Sequence, residues 1–209
     1  MYKKYVKRCI DCFLALIGLI ILSPLYLLIT IIIKIDSKGP VLFKQKRIKQ
    51  NKKYFNILKF RTMRTDTPQN VPTHQLNNPD AYITKVGKIL RKYSLDEIPQ
   101  LVNILKGDMS IIGPRPALWN QYDLIEKRDK YGANNIRPGL TGLAQISGRD
   151  ELPIDVKAML DGQYVTKMSF IFDVKMFLKT IISVVKSEGV IEGGINNIQS
   201  SAEKEYAKR

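Results

Sequence analysis

The sequence predicts an α+β fold, mainly helical, in which a broken apolar segment precedes a domain with one small β-hairpin and several amphipathic helices. Three observations predict it. Residues 13–33 form an apolar run interrupted by Ser23-Pro24. Residues 41–60 read as two short apolar stretches about a polar turn. Beyond residue 80, apolar positions recur at helical spacing.

The run 13–33 is long enough for a transmembrane helix, and no small-residue cleavage site follows it, which argues against a signal peptide. Pro24 removes a backbone donor and clashes with the preceding turn, so the helix kinks there. Ser23 offers a hydroxyl to a freed backbone group. Lys3, Lys4, Lys7 and Arg8 precede the run, and Lys34, Lys38, Lys44, Lys46, Arg47 and Lys49 follow it. Short cationic flanks favour the cytoplasmic side. A helix-break-helix that enters and leaves by one face satisfies both flanks, each half reaching about 15 Å, roughly half the hydrocarbon thickness. A kinked spanning helix accommodates the proline equally well, and charge and kink leave the two open.

In the hairpin, 41–43 and 54–58 flank a turn at 49–53. Residues 67–80 are polar and carry Pro68, Pro72 and Pro79, the marks of a long loop. Val86, Ile89, Leu90 and Tyr93 fall on one helical stripe among Lys85, Lys88, Arg91 and Lys92, a second helix follows over 98–105, and 119–131 reads as a charged surface helix. Val174, Phe177, Leu178, Ile181, Ile182 and Val185 make a further stripe, for which core packing is the default and a membrane interface the alternative. The expected division is a membrane segment at 1–36, a domain at 37–188 and a polar tail at 189–209.

The chain has 34 Lys+Arg against 19 Asp+Glu, a formal charge of +15, which implies an anionic partner: nucleic acid, an anionic membrane surface or phosphorylated substrates. No nucleic-acid motif is recognisable, and the basic residues are spread along the chain. Cys9 and Cys12 open the apolar segment without a second pair to complete a metal site, and the one histidine, His74, sits far off in the polar loop. Phosphate-loop, nucleophile-elbow and zinc-protease signatures are absent. Carboxylates, lysines and arginines are left to carry any chemistry.

Asp96-Glu97 lies between a basic helix and an apolar one. Ser94-Leu95-Asp96-Glu97 fits a capping box, and Pro99 suits a cap at Asp96. From spacing alone capping is the default; a carboxylate kept ionised by the helix dipole is the alternative. Gly113-Pro114-Arg115-Pro116 and Arg137-Pro138-Gly139-Leu140-Thr141-Gly142 present arginines on rigid turns, and Gly148-Arg149 follows. Arginine forks match phosphate oxygens. Lys59 and Arg61 close the hairpin with similar potential.

With these residues together, the sequence resembles the monotopic phosphoglycosyl transferases, bacterial sugar transferases that begin capsule, exopolysaccharide and glycoprotein glycan assembly. The matching pieces run from Lys7-Arg8 with Asp11, through Ser23-Pro24, Lys59-Phe60-Arg61-Thr62-Met63, the 94–101 segment, 106–110, 113–116 and 137–142, to Gln145, Gly148-Arg149, Leu160-Asp161, Tyr164-Val165, Ser169 and Asp173. The resemblance implies a re-entrant N-terminal helix on the cytoplasmic face of a bacterial cell membrane. It implies Asp96 and Glu97 as the catalytic pair, holding Mg2+, and a transfer of sugar-1-phosphate from a UDP-sugar, N-acetylated or 6-deoxy, to polyprenol phosphate through an aspartyl-bound intermediate. Lys59, Arg61, Arg91, Arg115, Arg137, Arg149 and Asp161 are the expected substrate and phosphate contacts. A homodimer and downstream glycosyltransferases are further candidate partners, and the chain matches the minimal form without a multi-span domain. Two departures from the commoner pattern bear on the sugar: Leu143 stands where a tryptophan is common, and 150–158 lacks an aromatic. The rival readings are direct transfer without a covalent intermediate, a basic membrane-anchored lipid- or nucleic-acid-binding module, and a structural anchor for other glycan enzymes.

Overall fold

The structure, a computed structural model, describes residues 1–68, 79–148 and 152–185. His74, Arg149, most of the 67–80 loop and the 189–209 tail lie outside the described residues. A π-helical turn, Tyr2–Val6, leads into α1 (Lys7–Ile21), which meets α2 (Ser23–Asp36) at a bend of 61°. No single helix among the described residues is long and apolar enough to cross a membrane, and the bent shape is the one a re-entrant segment requires. Its cause is local. Pro24 cannot donate to the Ile20 carbonyl, and the Ser23 hydroxyl donates to that carbonyl instead, at 2.8 Å.

Both ends of the bent pair are tied to the same domain. At the start, Lys7 Nζ lies 2.7 Å from Asp173 Oδ2, Tyr2 donates to the same oxygen, and Arg8 donates to the Ile104 and Leu105 carbonyls. At the far end, Arg61 donates to the carbonyls of Ser37, Lys38 and Pro40. Between these ties, α1 buries Ala15 and passes close to α4 (Gln100–Lys106) where Gly18 faces Leu101; a Cβ on Gly18 would stand 3.2 Å from Leu101 Cδ1. From α2, Ile29 and Ile33 pack with Phe60 and Leu90, and burying one such side chain stabilises by about 1.5–3 kcal/mol. The other sides carry Phe13, Ile17, Ile20 and Ile21 on α1 and Leu27, Leu28, Ile31 and Ile35 on α2, all exposed. An apolar surface of this kind marks a contact with another phase or molecule.

The hairpin is longer than the apolar residues suggest: β1 (Leu42–Ile48) pairs antiparallel with β2 (Tyr54–Phe60), Leu42 opposite Phe60 and Ile48 opposite Tyr54. The turn is closed by Asn51 and Lys52 at φ 58° and 57°. β1 extends because alternation puts exposed Lys44 and Lys46 on its outer face, which an apolar count overlooks. Helix α3 (Lys85–Lys92) is capped by the Thr84 hydroxyl, which accepts from the Gly87 amide, and buries Leu90. Ile89 and Tyr93 stay exposed, so its apolar residues serve two surfaces rather than one. A parallel pair, β3 (Ser110–Ile112) with β4 (Gly139–Thr141), lies in the main core with α1 and α4. The surface helix is shorter than expected, α5 (Tyr122–Asp129), because Ala117 and Leu118 pair with β1 and Gln121 Oε1 takes the Leu118 amide. A single turn, α6 (Leu143–Ile146), precedes α7 (Ile154–Lys167) and α8 (Phe170–Val185).

The core reading of α8 is overturned. Its buried side is Asp173 and Met176, with the Thr180 hydroxyl on that of Thr141, whereas Val174, Phe177, Leu178, Ile181 and Ile182 are exposed. The stripe faces away from the core, as an interfacial helix would carry it.

If the break at Ser23-Pro24 turns the chain, Ser23→Ala with Pro24→Leu straightens α1 and α2 into one helix long enough to span. In a background with Cys9 and Cys12 replaced by serine, a cysteine substituted for Lys3 then becomes reactive to an impermeant thiol reagent applied from outside. Unchanged protection assigns the turn to the Lys7 and Arg8 ties instead.

Candidate active site

Chain alternation in β2 directs Phe55, Ile57 and Lys59 to one face, so a lysine follows two buried apolar residues on the side that faces α4. Asn103 of α4 fastens that strand, its Oδ1 accepting from the Leu58 amide and its Nδ2 donating to the Asn56 carbonyl. Asp96 and Glu97 stand on a 3-10 turn, Leu95–Glu97, between α3 and α4. The turn is entered through Ser94 at φ 55°, a left-handed conformation unusual for a non-glycine residue. The capping box does not form: the Ser94 side chain makes no cap hydrogen bond, because its backbone is spent on reversing the chain after α3.

Lys59 Nζ donates to Glu97 Oε1 at 2.6 Å and stands 3.7 Å from Asp96 Oδ2. Arg115 donates to the same Glu97 oxygen at 3.1 Å. The two carboxylates are therefore unequal. Burial alone would raise the Glu97 carboxyl, but Lys59 and Arg115, by charge and by hydrogen bond, hold it well below the usual carboxylate range. Asp96, 8 % exposed, is pushed above its ordinary range, first by burial; Lys59 opposes, the Glu97 charge adds, and Arg91 and Arg115 oppose. The dipole argument for Asp96 is thus outweighed by desolvation. Glu97 is a locked anion, and Asp96 is a desolvated carboxylate without a hydrogen-bonded cation among the described residues. Neighbouring acids pushed apart in this way divide roles between them.

Arg91 reaches the site from α3, its Nε donating to the Thr62 hydroxyl. That approach depends on Gly87, where a Cβ would meet the Thr62 carbonyl oxygen at 2.0 Å. The two arginine turns, 113–116 and 137–142, lie side by side: Gly139 donates to the Pro114 carbonyl and Gly113 to that of Thr141. Cβ atoms on Gly139 and Gly142 would each meet Gly113 backbone at 2.1 Å, so glycine is what lets these turns touch.

Of the expected contacts, Lys59, Arg91 and Arg115 gather around the acidic pair. Arg137 donates to the Gly107 carbonyl, at the far end of α4 from Asp96. Two assignments are revised. Arg61 spends its guanidinium on three carbonyls beyond α2 and is a buried clasp. Asp161, 1 % exposed in α7, is paired through Oδ2 with Arg128 of α5 at 2.6 Å, and its burial leaves no open face for a substrate. Sequence reasoning misses Asn103 and Arg128; their signal is a polar side chain at an apolar-face position, which burial obliges to find a partner. Among the described residues no group of three or more His, Cys, Asp or Glu side chains is placed to hold a metal.

The chain matches the bacterial sugar transferase family over residues 2–187, and it belongs to that family. It is 39% identical over 197 residues to the exopolysaccharide production protein ExoY of Rhizobium meliloti, covering 88% of this chain and 87% of that one. It is 39% identical over 185 residues to an undecaprenyl-phosphate glucose phosphotransferase of Komagataeibacter xylinus, 84% of this chain and 35% of that longer protein. It is 35% identical over 190 residues to a UDP-N-acetylgalactosamine-undecaprenyl-phosphate N-acetylgalactosaminephosphotransferase of Aeromonas hydrophila, 88% of this chain and 45% of that one.

Arg61 and Arg115 should separate cleanly on mutation. Arg61→Ala leaves buried carbonyls without donors and lowers unfolding stability by about 1–3 kcal/mol. Arg115→Ala leaves the melting temperature nearly unchanged and lowers turnover on the order of 10²-fold. Thermal melts beside activity check both, and the opposite pattern would exchange their roles.

Proposed function

We propose that this protein transfers sugar-1-phosphate from a UDP-sugar to undecaprenyl phosphate, releasing UMP, and that Asp96 carries the sugar-phosphate between the two half-reactions. The observation that carries this reading is the split acidic pair: a desolvated Asp96 beside a Glu97 clamped by Lys59 and Arg115. In the first half-reaction an Asp96 oxygen forms a bond to the sugar-bearing β-phosphorus, the bond from that phosphorus to the oxygen bridging the α-phosphate breaks, and UMP leaves with the electron pair. In the second, a phosphate oxygen of the lipid bonds to the same phosphorus and the acyl-phosphate bond breaks, restoring the carboxylate. Lys59 and Arg115 hold Glu97 ionised and set cations beside the phosphates, whose charge otherwise repels a nucleophile.

A magnesium ion fits this donor set. Two carboxylates, one of them desolvated and short of a bonded cation, suit an ion that completes its shell with water and phosphate oxygens. Asp96 and Glu97 would hold it, and it would supply charge neutralisation at the diphosphate.

The topology proposed is monotopic, on the cytoplasmic face. Lys7 and Arg8 at one end of the bent pair, and the carbonyls held by Arg61 at the other, bind one domain, so a pair entering a bilayer leaves by the same side. The cationic flanks favour the cytoplasm, and the exposed stripe of α8 adds a second apolar surface. That arrangement meets a lipid-borne acceptor at the interface. The names of the relatives span more than one sugar, so UDP-glucose, UDP-galactose and UDP-N-acetylgalactosamine, together with a 6-deoxy UDP-sugar of the kind the resemblance implies, make the donor panel.

Incubated with its donor and no lipid acceptor, the enzyme should release UMP in one burst and gain the mass of one sugar-phosphate on the peptide bearing Asp96. Asp96→Asn should abolish both while keeping membrane association. Release of UMP only after both substrates have bound would support direct transfer instead.

The reaction also has an expected pH signature. Asp96 attacks as the anion, and its carboxyl is raised, so turnover falls as pH drops through a value above the ordinary ~3.9. Lys59→Met removes the strongest charge opposing that rise, and the acid limb of kcat/KM moves to higher pH. An unmoved limb would detach Asp96 from the titration.

A further inference from the structure

Asp11 sits at the base of α1, 4 % exposed, on the side facing β3. One edge of β3 is taken by the neighbouring segment: the Ser110 amide donates to the Pro138 carbonyl and the Gly113 amide to that of Thr141. Between them, the Ile111 amide points to the opposite edge, where Asp11 Oδ1 accepts it at 3.0 Å. Asp11 Oδ2 accepts from the Ser110 hydroxyl at 2.7 Å. The carboxylate of the apolar helix thus stands where a third strand would be.

The Ile112 carbonyl, next along, lies 3.0 Å from the Ser110 and Tyr164 hydroxyls, whose protons it shares with Asp11 and Asp173. From there the chain runs directly into Gly113-Pro114-Arg115. Gly113 has no slack, since a Cβ there would lie 2.7 Å from the Arg137 carbonyl oxygen, and Pro114 has its φ restricted by its ring. A displacement of β3 therefore passes to Arg115, whose guanidinium meets Glu97.

We propose that Asp11 is a positioning residue for Arg115: by holding the open edge of β3 it sets where the guanidinium meets Glu97 and the donor phosphates, so seating the N-terminal helix and assembling the phosphate site are one event. This rests on the phosphoglycosyl transfer reading above.

The test is a double-mutant cycle on the full chain in lipid nanodiscs, reading UMP release from the UDP-sugar panel with undecaprenyl phosphate as acceptor. Asp11→Ala should lower kcat/KM roughly 10- to 100-fold, the scale expected for a group displaced by about an ångström. In an Arg115→Ala background the same substitution should cost less than about threefold, because the group it positions is gone. Asp11→Asn should stay within about threefold of the wild type: its Oδ1 accepts the Ile111 amide, and its Nδ2 donates to the Ser110 oxygen, whose proton then goes wholly to the Ile112 carbonyl. Equal losses from Asp11→Ala in both backgrounds, or an Asn variant as impaired as the Ala variant, overturn the proposal. If Asp11→Ala fails to melt cooperatively, Ser110→Ala, which removes one of the two bonds, carries the same cycle, and equal losses in both backgrounds again overturn the proposal. An inactive wild type overturns the transfer reading itself, whereas an active wild type with additive losses overturns only the role of Asp11.

Discussion

The ion pair between Lys59 and Glu97 is the contact from which the rest of the site follows. Both groups are largely withdrawn from water, and a buried charge is tolerable only when it is paired. The pair holds the 3-10 turn against β2, and Arg115 donates to the same oxygen. Both cations meet Glu97 at Oε1, and the neighbouring Asp96 is buried with no hydrogen-bonded cation among the described residues. The role proposed for Asp96 rests on this inequality between the two carboxylates.

The end of β2 shows how a short strand serves two tasks. Lys59 turns toward the acidic pair, Phe60 turns the other way onto Ile29 and Ile33 of α2, and Arg61 clasps the carbonyls that follow that helix. Three consecutive residues tie the acidic pair to the apolar segment. A second tie runs through the base of α1, where Lys7 lies between Asp11 and Asp173, and Tyr2 and Tyr164 donate to Asp173. Such networks are rigid when every member is satisfied. They explain why an apolar helix pair with so few polar side chains keeps its few in contact with the domain.

Much of this is legible in the chain. The break at Ser23-Pro24 follows from the chemistry of proline, and the hairpin and the helices carry their own periodicities. Asp96-Glu97 and the arginine turns at 113–116 and 137–142 stand out because the familiar catalytic signatures are absent. Where sequence and structure part, the origin is shared. A local dipole at Asp96 says nothing of its burial, the motif at Ser94 matches a cap that its backbone does not form, and the α8 stripe suits a core although lipid satisfies the same pattern.

What the sequence by itself determined is what depends on neighbours along the chain: that the apolar run breaks at Ser23-Pro24, that a hairpin follows it, and that two carboxylates stand together after a basic helix. Only the tertiary structure decided which arginine meets Glu97 and which clasps carbonyls, which carboxylate is locked and which is left desolvated, and which apolar stripe faces outward. The physical reason is that the ionisation of a carboxylate and the occupation of a guanidinium depend on water exclusion and on distances across the fold. Residues 59, 97 and 115 meet within 3.1 Å in space while standing far apart in the chain, so their spacing in sequence carries no trace of that meeting.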